Sequence, residues 1–106
     1  MTLYPYSFDA PVERHGIGRA RQTWYNVLFL VDDIAADLPF RQHPQLRVEG
    51  EIADLPMAGA FLSAGDGRYY VMISPEIMKA AELAIGQPVE MRFRVADQDA
   101  VEVPDD

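Results

Sequence analysis

The sequence has no cysteine, a single tryptophan, and only nine Lys plus Arg against seventeen Asp plus Glu. Without thiols there is neither a disulfide framework nor a thiolate zinc site, so a hydrophobic core must hold the fold unaided and a cytoplasmic location is permitted. The shortage of cations, a formal net charge of -8, argues against nucleic acid as a partner, because affinity for polyanions is built from phosphate neutralisation. No stretch approaches the roughly 18 successive apolar residues of a membrane span. The opening MTLYPYSFDAPVER lacks the basic start and apolar run of an export signal. A soluble, cytoplasmic protein with no membrane partner is therefore expected. His15 and His43 lack any H-x-x-x-H spacing, and no nucleophile, base and orienting group can be assembled. The sequence thus predicts no metal, no cofactor and no catalysis.

What is present is a chain of 106 residues, 49% hydrophobic and 25% charged, read as a single domain over residues 1–106. Its most legible stretch runs from Arg68 to Val95. Tyr69 to Ile73 is aromatic and β-branched, as suits a largely buried strand. Ser74 is a helix cap, Pro75 suits the first helical position, and Glu76 complements the positive end of the helix dipole. Ile77, Ala81 and Ile85 recur at helical spacing, which predicts one apolar face ending at Gly86, with Pro88 preventing resumption. From Val89 to Val95 apolar residues alternate with Glu90, Arg92 and Arg94, a half-buried strand.

The first half repeats this design more weakly. Trp24 to Leu30 predicts a strand and Asp32 to Leu38 a short helix stopped by Pro39. Leu46, Val48 and Ile52 then alternate with Arg47, Glu49 and Glu51. Laying Val31-Asp32-Asp33-Ile34 over Ser74-Pro75-Glu76-Ile77 gives two strand-helix-strand halves, the first with a longer connection after its helix. The charged stripes of the two halves are expected to pair across a sheet. Tyr4, Tyr6 and Phe8 predict a first strand with an aromatic face, which either seals a core or offers a stacking platform. RHGIGRAR, residues 14–21, reads as a mobile basic loop, and Arg14, Arg19 and Arg21 are its candidate anion ligands. MAGAFLS, residues 57–63, is a close-packing strand joined by the turn Ala64-Gly65-Asp66-Gly67 to Tyr69. The acidic tail from Asp97 offers Val101 and Val103 for a last edge strand.

The order WxxVxF, VDDIAADL, LRVEGEI, AGDGRYYVMIS, PEIMKAAEL, IGQPVEMRFRV resembles the bacterial family catalogued as domain of unknown function nineteen hundred five. The resemblance implies a mainly β fold with two short helices, a double-split β-barrel built from two pseudo-repeated strand-helix-strand halves in one chain. That architecture is similar to AbrB-type regulators and MazE-type antitoxins. The chain departs from the family pattern at Val31, where proline is common, at Asp54-Leu55-Pro56, where an Asn-Gly-like turn is usual, and at Gln87, where an acidic residue is usual. No activity comes with the resemblance, and fold kinship does not transfer one. The expectation is a non-catalytic module that binds a small molecule or a protein in a cleft near Trp24, Tyr25, Arg47, Tyr69 and Tyr70. Trp24 is expected on the buried side of its strand. The alternative is a nucleic-acid-binding or regulatory module of AbrB-like descent, using the basic residues of the loop. Oligomeric state is not encoded legibly.

Overall fold

A computed structural model of the chain describes residues 3–17 and 23–98. The elements are β1 (Tyr6–Pro11), β2 (Glu13–Ile17), β3 (Thr23–Phe29), α1 (Asp32–Ala35), β4 (Leu46–Ile52), β5 (Leu55–Ser63), β6 (Tyr69–Met72), α2 (Pro75–Ala80) and β7 (Pro88–Val95). The strands form one curled antiparallel sheet in the order β1-β7-β4-β5-β6-β3-β2. The fold is thus mainly β with two short helices, as the alternating sequence implies. Phe61, Phe93, Leu28, Leu46, Ile52 and Met91 are fully buried in its hollow. Phe93 is the hub, in edge contact with Phe61 at 5.2 Å and stacked on Tyr6 at 5.1 Å.

β1 and β2 lie at opposite ends of the sheet, yet only Val12 separates them. Val12 is fully buried. Its N–H donates to the Gln87 carbonyl (3.0 Å) and its carbonyl accepts from the Gly86 N–H (2.8 Å). The curl therefore brings both ends of the sheet to one bent segment of chain. The pairings are also regular in a second way. β3 pairs with β6 and β4 with β7. The paired positions Leu28 and Val71, the paired positions Gly50 and Phe93, and the helix caps Val31 and Ser74 are all separated by the same interval of sequence.

Several elements follow the sequence reading closely. Ser74 caps α2 through its hydroxyl, which accepts from the Ile77 N–H at 3.2 Å. Gly65, Gly67 and Gly86 adopt positive φ. The charged stripes meet as expected, with Arg94 on Glu49 at 3.0 Å and Arg92 on Glu51 at 2.8 Å. These half-exposed pairs contribute up to about 1 kcal/mol each.

Other expectations are corrected. α2 ends at Ala80, not near Ile85. Glu82 takes the left-handed conformation, its N–H donating to the Lys79 carbonyl and the Leu83 N–H to the Met78 carbonyl. This closing turn packs Leu83 against the core and leaves Ile85 54% exposed. The longer connection after the first helix is present, residues 36–45 against 81–87, because α1 is the shorter helix while Val31 stands as far before buried Leu46 as Ser74 stands before buried Val89. Residues 14–17 are not loop but part of β2, paired with β3 from Glu13 opposite Val27 to Ile17 opposite Thr23. The predicted tail strand at Val101 and Val103 lies outside the described residues.

Gly50 is required where β4 crosses β7. A Cβ there would stand 1.9 Å from the Arg92 carbonyl oxygen and 2.6 Å from the Phe93 Cα, both backbone atoms that cannot step aside. Gly50→Ala is expected to cost at least about 3 kcal/mol. Gly59→Ala, whose Cβ would meet the flexible Met57 Cε at 3.4 Å and the Val71 Cγ2 at an ordinary 3.8 Å, is expected to cost within about 1 kcal/mol. Urea unfolding of both variants checks the contrast.

Candidate functional site

Leu28 and Val71 face the core, so the residues on either side of them face outward. That outward face of β2, β3 and β6 is where a half-wet antiparallel sheet ordinarily carries polar residues. Here it carries His15, Ile17, Tyr25, Val27, Phe29, Tyr70 and Met72, with Glu13 and Thr23 as its polar members. The His15 ring lies 4.7 Å from Tyr70 and 5.6 Å from Phe29, and Phe29 lies 6.1 Å from Tyr70. Val27 and Tyr70 are buried although neither belongs to the main core cluster. A second apolar layer therefore lies on the outside of the sheet, with Tyr25 and Met72 exposed at its margin.

The β5–β6 turn frames this layer. Asp66 accepts from the Arg68 backbone N–H (3.2 Å) and from its Nε (3.0 Å). The same hydrogen bonds hold the Asp66 carboxyl below its ordinary range. The bridge sets the guanidinium 4.1 Å from the centre of the Phe29 ring, a cation–π contact on the edge of the aromatic layer.

The sequence-predicted site residues fall in several places. Tyr25 and Tyr70 share the outward aromatic face. Trp24 is on the opposite side of β3, with the Arg14 guanidinium 5.3 Å from its ring. It is 50% exposed, which corrects the expectation of burial. Strand alternation separates the two neighbouring rings, but neither is sealed in. Tyr69 stacks on Phe40 at 3.7 Å and lines a hollow of about 360 Å³ with Pro39, Arg41 and Gln42. Arg47 lines another of about 420 Å³ with Glu49, Ala58 and Ala60, its backbone held by the Gln98 side chain at 2.9 Å. Both hollows are open depressions. Of the anion candidates, Arg14 is in β2, and Arg19 and Arg21 lie outside the described residues.

His15, Phe29, Arg68 and Met72 were not singled out from the sequence as site residues. The signal for them was the odd-numbered run Tyr25, Val27, Phe29, which is as apolar as the even-numbered side of the same strand. Among the described residues no group of His, Asp and Glu is assembled that would hold a metal ion, and no helix is long and apolar enough to cross a membrane.

The family description Domain of unknown function (DUF1905) matches residues 8–93. The chain belongs to that family. No curated protein matches it.

Burial holds the Tyr70 hydroxyl above its ordinary pKa of 10.0. Tyr6 is raised likewise by burial and then by the Asp37 carboxylate, which accepts from its hydroxyl at 3.3 Å. Raised folded values mean that the stability these groups contribute is complete below pH 10.0 and is lost as pH climbs through the folded values. Replacing both with Phe is expected to reduce the loss of stability above pH 10.0, read from urea midpoints across the alkaline range. An unchanged alkaline slope would contradict the assignment.

Proposed function

We propose that this chain is a non-catalytic docking module whose binding surface is the outward aromatic layer of β2, β3 and β6, and that its ligand is a segment of another protein. The observation that carries the reading is the second apolar layer: Tyr25 and Met72 are 42% and 40% exposed beside buried Val27 and Tyr70. Clustered exposed aromatic and thioether side chains on a framed, hydrogen-bonded sheet have the make-up of a protein contact. The hollows elsewhere are too open to enclose a small molecule. A polyanion reading has less support. Arg68, Arg92 and Arg94 are committed to carboxylates and Arg14 is set against Trp24.

The same reading extends to the architecture. A duplicated strand-helix-strand unit in a double-split barrel accounts for the constant interval that relates Leu28 to Val71 and Gly50 to Phe93. An antiparallel pair of equivalent strands is what a two-fold axis between two such units produces.

The test is selection of peptides from a displayed library against the whole chain. A variant carrying both Tyr25→Ser and Met72→Ser is expected to bind the selected peptides at least about tenfold more weakly, with its core and melting behaviour retained. Peptides that bind the variant as well as the parent would overturn the choice of surface.

A further inference from the structure

We propose that β5 offers an open strand edge that takes an extended, basic and apolar peptide by β-strand addition. This goes beyond the aromatic-layer reading and stands if that reading fails, because backbone groups carry it.

The turn between β4 and β5 has Ala53 and Asp54 both at positive φ, between the pair Ile52 and Leu55. In such a two-residue turn the flanking pair exchanges both backbone hydrogen bonds, and bonded and unbonded pairs then alternate along the ladder. Leu55, Met57, Gly59 and Phe61 therefore bond to β4, whereas Pro56, Ala58, Ala60 and Leu62 turn their backbone groups the other way. Pro56, with no N–H to lose, fits that assignment. On that other side β6 meets only Leu62 and Ser63, opposite Tyr70 and Tyr69. The two strands then splay apart. The N–H and C=O of Ala58 and Ala60 have no strand beside them among the described residues.

Edge strands are ordinarily guarded by charge or proline. β1 shows the guarded form: it pairs with β7 on one side and carries Asp9 and Pro11 on residues that do not bond to it. β5 has Pro56 only at the turn end of its open edge, and beyond it Ala58 and Ala60, which turn their backbone groups to that edge, are small and uncharged. Beside it lies a hollow of about 250 Å³ lined by Pro56, Met57, Met72, Ser74, Glu76 and Ile77. Its walls are apolar, from the two methionines and Ile77. Glu76 is exposed and makes no ion pair among the described residues. A strand laid along Ala58 and Ala60 would run beside this hollow, where an apolar side chain can enter between its walls and a Lys or Arg can reach Glu76. The net charge of -8 favours that cationic partner over an acidic one.

The probe is an acetylated, amidated peptide of alternating Lys and Val, with a control in which every second amide is N-methylated. Amide hydrogen exchange on the whole chain is expected to show Ala58 and Ala60 exchanging fast while Met57 and Gly59 are protected. Adding the peptide is expected to slow Ala58 and Ala60 by at least about tenfold, whereas the N-methylated control leaves them fast. Glu76→Gln, which touches no core contact, is expected to weaken the effect. Three results would overturn the proposal. One is no slowing at any peptide concentration, and another is equal slowing by the control. The third is protection of Ala58 and Ala60 without peptide that grows with protein concentration, which would mean that a second copy of the chain takes the edge.

Discussion

Two backbone hydrogen bonds hold Val12, the one residue between the strands at the two ends of the sheet, against Gly86 and Gln87 just before β7. Everything else in the fold is arranged so that this is possible. β1 must leave β7 and β2 must join β3 within one residue, and a buried valine with both backbone groups satisfied makes that bend stable. An open seven-stranded sheet would present two exposed edges. Here the strands at the two ends are successive, so the chain itself limits how far the sheet can open.

The interior follows from the same geometry. Curling brings Phe8, Phe61 and Phe93 around one point. It also forces β4 and β7 so close that Gly50 has no room for a side chain. The half that was clearest in sequence, from Tyr69 to Val95, was clear because each signal acts locally. A serine cap, a proline at the first helical position and strict alternation after Pro88 need no distant partner to be decisive. The half that was less clear depends on contacts far apart in sequence. Residues 14–17 looked like loop because glycine and charge dominate them, and they become strand because Trp24 to Val27 lie alongside. Helix α2 stops early because Leu83 reaches the core, a tertiary gain that outweighs the local preference of Ala84 and Ile85 for helix.

The candidate site was legible only in part, for the same reason. Aromatic residues in β3 and β6 were visible as such, but period-two alternation does not say which side is wet when both sides are apolar. Tyr25 and Tyr70 share one face because β2 and β6 flank β3; His15 pairs with Tyr25 in register and its ring lies 4.7 Å from that of Tyr70. Arg47 and Tyr69 do not join them, since each lies over a different hollow. The surface that results has apolar and aromatic groups on one side of the sheet and ion pairs across β4 and β7 on another. The docking surface proposed above lies on the first of these sides, and the half-exposed ion pairs lie on the other.

The central claim is that the sheet is tied at Val12, and native-state hydrogen exchange tests it most directly. The amides of Val12 and Gly86 should exchange only through global unfolding, with the same free energy as those of Glu49 and Arg94 between β4 and β7. Exchange at Val12 and Gly86 through a cheaper local opening, while Glu49 and Arg94 stay protected, would contradict it.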